Sequence, residues 1–361
     1  MTTSISPTQT PGQQAGCLPR FIGAVSGIYL TGMVAYLALR LILGGELWWV
    51  ALFNAFAVYT FTPLLILLPL VILLRVWRMA VRLGLLALLA IVWFGPFFQP
   101  QSPSKTDAPS LTIVTFNMEV GRGGFLEQIE SFEAWIDENN VDVVVFQETA
   151  NAILDDGFPN SEDTYTFVKQ SEERREALRR SLLSRYPVLE SENGNAYQRV
   201  VLDVDGEQIA LYNVHFAWPF LDEPRFNIDT GDDWLNLMLS YDEDIRNTQI
   251  EAFLDVIEGE DLPYIVAGDF NTSQHSIIYS ELAVRMADSY RTASSGLGTT
   301  WPQAGRFGPL VPTVLRLDYI WYDDDVFRAV DAEVGPEFDS DHHPVIATLE
   351  IRTQPDDEVA D

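Results

Sequence analysis

Long apolar runs dominate residues 1–99, whereas short apolar runs alternate with polar segments along the rest of the chain. A helix needs roughly 20 apolar residues to cross the hydrocarbon core of a bilayer. The long runs have no polar face, which argues against three core helices of a soluble bundle. A cleaved signal peptide would contain only one short apolar run. The pattern therefore predicts three transmembrane helices, at about 21–40, 47–74 and 83–99.

The arginines between the predicted spans indicate the orientation of the chain. The link "RVWRMAVR" (75–82) contains three arginines and no acidic residue, and cytoplasmic loops are enriched in basic residues. We therefore place this loop and the N-terminal segment 1–20 in the cytoplasm. Three crossings then put the remainder of this multi-pass integral membrane protein on the extracytoplasmic side.

The chain beyond the spans has the pattern of an α/β domain. Residues 100–110 are rich in proline and serine and are predicted to form a flexible linker. A folded domain is predicted over 111–351, followed by an acidic, disordered tail over 352–361. Short apolar runs bounded by turn residues indicate buried strands, and helical patterns lie between them. The predicted strands are 111–117, 141–148, 208–215, 262–271, 317–323 and 344–351.

The charge distribution separates the two parts of the chain and limits its substrates. The whole chain has a formal net charge of −30. Residues 1–99 carry +4, so residues 100–361 carry −34. Duplex binding depends on the neutralisation of phosphates by lysine and arginine, and the chain contains two lysines. This composition argues against a long basic groove. The single cysteine, Cys17, excludes a disulfide framework and a cysteine metal site.

Polar residues stand at the ends of four successive predicted strands. Asn117, Glu148 and His215 end the first three strands, and Asp269 and Asn271 end the fourth. Each of them taken alone could be an ordinary turn or capping residue. Ligands of α/β proteins bind where strands end, and carboxylates with amides suit a hard cation such as Mg²⁺. Their recurrence therefore predicts one metal-assisted, acid–base site.

Seven motifs in order resemble the endonuclease/exonuclease/phosphatase superfamily, which includes deoxyribonuclease I, sphingomyelinases and inositol-polyphosphate phosphatases. They are "TFNMEVG", "FQET", "LLSRYPV", "YNVHF", "GDFNTS", "RLDYIW" and "SDHHPV". The resemblance covers residues 111–351 and is closest to the bacterial membrane-anchored branch. It implies a four-layer α/β sandwich, in which two packed sheets are flanked by helices, preceded here by three transmembrane helices.

The resemblance also implies roles for the strand-end residues. Asn117, Glu148 and Asp341 match positions on the metal side of the family's site. Asp269 and Asn271 match the catalytic pair that positions the nucleophilic water and the phosphate.

The histidines fall into two groups under the same resemblance. His342 matches the catalytic imidazole and Asp318 the aspartate that orients it. His215 matches a histidine found in the deoxyribonuclease I and phosphatase branches and absent from AP endonucleases. We expect His343 and His275 to lie outside the site, because neighbouring strand residues face opposite ways and His275 falls in a loop.

These residues predict a membrane-anchored phosphoesterase that depends on Mg²⁺, with Mn²⁺ as a possible substitute. It would hydrolyse a phosphodiester or phosphomonoester by metal-assisted attack of water. A small phosphoester or a lipid headgroup is the favoured substrate. One alternative is an extracytoplasmic nuclease acting on DNA or RNA, and another is a membrane protein that only binds phosphoesters. The sequence leaves open the oligomeric state and which histidine acts as the base.

Overall fold

The computed structural model describes the chain with gaps, over residues 16–99, 101, 103–119, 127–149, 153, 158, 160–161, 164–169, 179–220, 238–304 and 311–352. Most of the predicted N-terminal segment and acidic tail lies outside these residues. The chain divides into two compact units, Met1–Ile42 with Ala57–Gly95 and Leu43–Phe56 with Pro96–Asp361. The predicted second span, 47–74, is therefore shared between the two units.

The helices of the first unit are apolar on almost all sides. Two helices are long and apolar enough to cross a membrane, Cys17–Leu43 and Trp77–Phe98, and a third span results if the bent pair Trp48–Ala55 and Ala57–Leu73 is counted as one. In chain order, the described helices are α1 (Cys17–Leu43), α2 (Trp48–Ala55), α3 (Ala57–Thr60), α4 (Leu64–Leu73), α5 (Trp77–Phe94), α6 (Ile129–Glu138), α7 (Asp244–Glu258), α8 (Ile277–Arg285) and α9 (Ser289–Ala293).

Two six-stranded sheets form the centre of the second unit. The first sheet has the order β11-β12-β1-β2-β4-β3 and the second β5-β6-β7-β8-β10-β9. The described strands are β1 (Ser110–Asn117), β2 (Val143–Gln147), β3 (Thr166–Lys169), β4 (Arg180–Ser184), β5 (Val188–Asn193), β6 (Tyr197–Val204), β7 (Glu207–His215), β8 (Tyr264–Asp269), β9 (Ala287–Asp288), β10 (Asp318–Tyr322), β11 (Phe327–Val334) and β12 (Val345–Ile351).

Burial separates the second unit into four layers. One core lies between the sheets and includes Ile113 and Val145 of the first sheet with Leu211 of the second. The outer face of the first sheet packs on α6 through Phe132. The outer face of the second sheet packs on α7 and α8, for example through Phe253. Apolar residues on both faces of the sheets are typical of such layered folds, and the predicted four-layer sandwich is confirmed.

Each sheet contains one parallel pair of neighbouring strands at its centre. β1 runs parallel to β2, with Asn117 opposite Gln147, and β7 runs parallel to β8, with His215 opposite Asp269. β10 runs antiparallel to β8, so that Asp318 also lies opposite Asp269. The carboxyl ends of both parallel pairs and the start of β10 therefore carry the polar residues singled out in the sequence.

The chain at Gly268 passes unusually close to the neighbouring strand β7. A Cβ atom built at Gly268 would lie 2.0 Å from the carbonyl oxygen of Val214, and its φ angle is +155°. A side chain would therefore force β7 and β8 apart. This close approach fixes the separation of the next residue pair, His215 and Asp269.

We expect Gly268→Ala to lower the free energy of unfolding by about 2–5 kcal/mol, since it combines overpacking with backbone strain. Urea unfolding of the full chain in detergent, followed by tryptophan fluorescence, measures the change. Gly206→Ala is the matched control. Gly206 also has a positive φ of +99°, but a Cβ atom at that position would have nothing within 4 Å. If Gly268→Ala lowers the free energy of unfolding no more than Gly206→Ala does, the close approach of β7 and β8 at Gly268 is contradicted.

A buried carboxylate fastens the end of α7 to the second sheet. Glu260 accepts hydrogen bonds from Arg199 Nε (2.7 Å), Tyr212 Oη (2.6 Å) and the backbone N–H of Leu262 (3.0 Å). Burial acts to raise the pKa of Glu260, but the hydrogen bonds from Arg199, Tyr212 and Leu262 outweigh it and lower the pKa to about 2. The network therefore stabilises the fold only while Glu260 is ionised.

A group with a lowered pKa in the folded state stabilises the fold above its unfolded pKa, and this contribution is lost as the pH falls toward the folded value. We expect Glu260→Gln to lower the free energy of unfolding at pH 7 by about 1–2 kcal/mol. The difference from wild type should shrink between about pH 4.5 and pH 2. Urea unfolding across this pH range measures it, and a pH-independent difference would contradict the role of the carboxylate.

Candidate active site

One carboxylate oxygen stands at the centre of the polar strand ends. Oδ2 of Asp269 accepts hydrogen bonds from Asn117 Nδ2 at 3.0 Å and from Asn271 Nδ2 at 3.3 Å. It also lies 3.7 Å from His215 Nε2 and 3.8 Å from His342 Nε2. Asn117 and His342 come from the first sheet or its loops, whereas Asp269, Asn271 and His215 come from the second sheet or its loops, so the site joins the two sheets.

A carboxylate orients the imidazole of His342. Oδ2 of Asp318 lies 2.8 Å from His342 Nδ1, and both side chains are buried. The Nδ1 atom of His342 is thus engaged by Asp318. The other ring nitrogen, Nε2, faces Asp269. Such a pair holds one tautomer of histidine and supports a positive charge on the ring. The Asp–His pairing implied by the resemblance is thus present in the structure.

The metal-side residues of the prediction lie next to this centre. Glu148 Oε1 accepts from Asn117 Nδ2 at 3.3 Å and lies 3.9 Å from His215 Nε2. Asp341 Oδ1 lies 3.9 Å from His342 Nε2. The structure therefore brings together all eight predicted site residues, which are Asn117, Glu148, His215, Asp269, Asn271, Asp318, Asp341 and His342.

Three of the strand-end residues adopt a backbone conformation that side-chain-bearing residues rarely adopt. The φ angles of Glu119, Glu148 and Asn271 are +47°, +51° and +48°. Such conformations cost of order 1–3 kcal/mol each and concentrate at functional sites. They turn the chain at the point where β1, β2 and β8 end.

Several supporting residues escaped the sequence prediction. Ser340 Oγ donates to the carbonyl of Asn117 at 2.7 Å and accepts from the backbone N–H of His342 at 3.0 Å. Trp301 Nε1 donates to Asp341 Oδ2 at 2.9 Å. Ser340 stands in the segment "SDHH" and Trp301 in the segment "TTWP". Their position in these segments was the signal in the sequence that could have indicated them.

Two further supporting groups carry no local signal. Arg246 on α7 donates from Nη1 to the carbonyl of Asn271 at 2.7 Å, and its Nη2 lies 2.9 Å from Glu243 Oε1. Between the sheets, Gln147 Nε2 donates to Asn213 Oδ1 at 2.8 Å. Both groups hold the ends of strands that carry site residues, and both depend on contacts between segments distant in sequence.

Burial raises the pKa values of two site carboxylates, Glu148 and Asp269. The pKa of Glu148 is raised to about 7, first by loss of solvation and then by Asp341, against the opposing effect of His342. Burial also raises the pKa of Asp269. Burial alone would lower the pKa of His342, but Asp318, Asp269 and Asp341 raise it well above its usual value. The site therefore concentrates negative charge that a cation would compensate.

The donor set fits a hard divalent cation. Asp269, Asp318 and His342 offer atoms that lie within 4.8 Å of one another and could hold a metal ion. The hydrogen bond between Asp318 and His342 occupies two of these atoms, which favours an orienting role for Asp318. Glu148 and Asp341 supply further carboxylate oxygens, the ligand type that Mg²⁺ prefers.

The residues expected to lie outside the site have other contacts. His343 Nδ1 lies 3.2 Å from the carbonyl of Gly335. His275 is buried and its ring meets that of Phe97 edge to face, with centroids 5.4 Å apart.

Comparisons with known proteins agree with this geometry. The model of the Endonuclease/Exonuclease/phosphatase family matches residues 114–342. The solved endonuclease/exonuclease/phosphatase from Bacteroides vulgatus has a TM-score of 0.53 and 18% identity, covering 68% of this chain and 100% of its own. A humanized D. rerio TDP2 has a TM-score of 0.51 and 17% identity, with coverages of 67% and 99%.

A mannosyl-6-phosphatase from Bacteroides thetaiotaomicron has a TM-score of 0.50 and 16% identity, with coverages of 67% and 100%. No curated protein matches the sequence. At these identities the structural likeness shows the fold, while the family model covers more than half of the chain. The chain therefore belongs to the endonuclease/exonuclease/phosphatase family, whose members are hydrolases that act on phosphoester bonds.

Proposed function

We propose that the chain is a membrane-anchored, Mg²⁺-dependent phosphoesterase that cleaves a phosphodiester or phosphomonoester by attack of water. The observation that carries this proposal is the convergence on Asp269 Oδ2, where two amides lie at 3.0 and 3.3 Å and two imidazoles at 3.7 and 3.8 Å. An acid, a base and donors for a phosphate are thereby grouped within reach of one bound water or phosphoryl oxygen.

The cation would be held by Glu148 and Asp341, with Asn117 nearby, and Mn²⁺ would be a substitute. When bound, it would neutralise a non-bridging phosphate oxygen and the charge that develops during attack. Asp269 Oδ2 would orient the attacking water and accept its proton, with Asn117 and Asn271 holding the carboxylate in place. His342, held by Asp318, would supply positive charge to the phosphate.

His215 would serve the leaving group. Its Nε2 lies between two carboxylates, 3.7 Å from Asp269 and 3.9 Å from Glu148. In its protonated form, the imidazole would donate this proton to the departing oxygen as a general acid. This division of roles assigns the base to Asp269, the positive charge to His342 and the acid to His215.

We infer that the second unit lies outside the cytoplasm. Because Leu43–Phe56 and Pro96–Asp361 form one unit, both ends of the intervening chain must emerge on the same side of the bilayer. Two crossings satisfy this condition, one by Ala57–Leu73 and one by Trp77–Phe98. The arginine-containing link 75–82 then lies on the opposite side, which the enrichment of basic residues in cytoplasmic loops identifies as the cytoplasm.

The charge of the chain argues against a nucleic-acid substrate. Residues 100–361 carry −34, and phosphate backbones are bound through lysine and arginine. A small phosphoester or a lipid headgroup requires only local compensation of charge. Nicking of a supercoiled plasmid by the full chain, lost in His215→Ala, would instead support a nuclease.

We expect Asp269→Asn and His342→Ala each to lower kcat/KM by about 10²–10⁴-fold, since each removes a group that acts on the reacting water or phosphate. Hydrolysis of bis-p-nitrophenyl phosphate by the full chain in detergent with Mg²⁺ measures this. His343→Ala is the matched control, because its imidazole is adjacent in sequence but contacts Gly335 instead of the site. Unchanged turnover in both site variants would refute the assignment.

Removal of divalent cations should abolish turnover, because the carboxylates Glu148 and Asp341 would then repel the anionic substrate. We expect EDTA to lower the rate to background and Mg²⁺ or Mn²⁺ to restore it. In Glu148→Gln, the cation concentration needed for half-maximal activity should rise at least about tenfold. Activity that persists after exhaustive chelation would rule out the metal-dependent mechanism.

A further inference from the structure

The short helix α2 belongs to the second unit, called the catalytic unit below because it carries the candidate active site. Its eight residues extend about 12 Å, less than half of the hydrocarbon core. Ala51 and Ala55 on one face pack against Tyr241, with Phe220 beside them. The carbonyl of Ala55 accepts a hydrogen bond from Ser273 Oγ at 2.9 Å. The helix is therefore docked two residues away from the site residue Asn271.

The chain just beyond α5 docks on the same loop. Phe97 lies three residues beyond α5 and meets the ring of His275 at 5.4 Å. Its carbonyl accepts a hydrogen bond from the backbone N–H of Gly296 at 2.6 Å, and the guanidinium of Arg291 lies 4.9 Å from the centre of its ring. The loop 271–276, which begins at a site residue, thus contacts the chain near two of the three points at which the catalytic unit continues into the apolar helices.

A continuous series of aromatic rings connects α2 to the metal side of the site. Phe220 meets Tyr241 edge to face at 5.1 Å and stacks on Trp218 at 5.0 Å. Trp218 meets Trp301 at 5.3 Å, and Trp301 donates to Asp341. Trp218 and Trp301 are half-buried, so each keeps part of its ring accessible.

The outer face of α2 is also apolar. Leu47 and Trp48 are 38% and 41% exposed, and the helix contains no charged side chain. Exposed tryptophan beside apolar residues is typical of a membrane interface. Because α1 precedes α2 by four residues and Ala57–Leu73 follows it after one, chain connectivity keeps this face at the bilayer surface. We therefore expect the lipid bilayer to cover the exposed apolar side of α2.

We propose that α2 and the aromatic series Phe220, Trp218 and Trp301 form a bilayer-facing rim of the catalytic centre, which admits the phosphoester of a membrane lipid. This inference rests on the proposed function and specifies its substrate class. The phosphate of the lipid reaches Asp269 and His342, while its apolar part stays against the rim. An amphiphilic substrate suits this surface, because aromatic rings can cover its apolar part and tolerate contact with water at their edges.

The negative net charge of the catalytic unit favours a lipid contact made by apolar groups over one made by charged groups. Anionic membrane surfaces attract basic segments, but the catalytic unit is strongly acidic. Attraction by charge is thus excluded as the means of holding the site at the membrane. The rim should consequently act in vesicles of zwitterionic lipid and should be insensitive to salt.

The test uses the full chain reconstituted in phosphatidylcholine vesicles. One assay follows a fluorescent phosphatidylcholine in the vesicle, and a second follows the water-soluble bis-p-nitrophenyl phosphate in the same preparation. Leu47→Glu with Trp48→Glu should lower the ratio of lipid to soluble turnover at least about tenfold. Leu189→Glu is the matched control, since Leu189 is 47% exposed on β5 and belongs to none of the rim elements; its ratio should equal that of wild type.

The outcomes separate this inference from the proposed function. Wild-type turnover of the soluble diester without turnover of the lipid would overturn the lipid substrate and leave the phosphoesterase intact. Turnover of neither substrate would overturn the proposed function itself. A double variant with an unchanged ratio would show that α2 is not part of the rim, whereas a lowered ratio that salt does not change would support it.

Discussion

Burial of the Asp269 carboxylate is the constraint on which the site depends. The residue is fully buried, and an isolated buried carboxylate is costly unless it accepts hydrogen bonds. Its Oδ1 accepts from the backbone N–H of Asn271 at 2.8 Å, and its Oδ2 accepts from two amide side chains. These donors come from both sheets, so the carboxylate also fixes how the strand ends meet. Burial also keeps its pKa raised, so the same constraint that orders the strand ends suits Asp269 to the proposed role of base.

The backbone provides the second half of this arrangement. Parallel strands bring His215 and Asp269 level with each other, and Gly268 lets the two strands approach closely enough for both side chains to share one region. Positive φ angles at Glu148 and Asn271 then redirect the chain immediately after the strands. Strain and close packing are tolerated here because the two sheets on either side hold these turns in place.

The sequence predicted those parts of the molecule that depend on local pattern. Strand periodicity located β1, β2, β7, β8, β10 and β12, and the polar residues at their ends, together with the motifs, indicated the eight side chains that the structure brings together. Their individual roles are still predictions. Arg246 and Gln147 gave no signal, because their importance arises from contacts with Asn271 and Asn213 across the fold. Long-range contacts of this kind leave no periodicity in the sequence.

The same limit applies to α2, which the hydropathy pattern includes in the predicted span 47–74. Hydropathy measures how apolar a segment is and not what it packs against. The contacts of α2 with Ser273 Oγ and the ring of Tyr241 group it with the second unit and leave no trace in the hydropathy pattern. His275, which was expected to have no part in the chemistry, has instead a packing contact with Phe97 beside the site.

The proposed attachment to the membrane would change what the catalytic centre needs in order to find a substrate. A soluble enzyme with an acidic surface would repel an anionic phosphoester, and it would require a basic path to attract it. For an enzyme anchored in the bilayer, a lipid phosphoester would already be confined to the same surface, so its effective concentration would be high without electrostatic steering. The strongly negative charge of residues 100–361 is therefore compatible with an anionic substrate, provided that the substrate arrives along the membrane through an apolar rim.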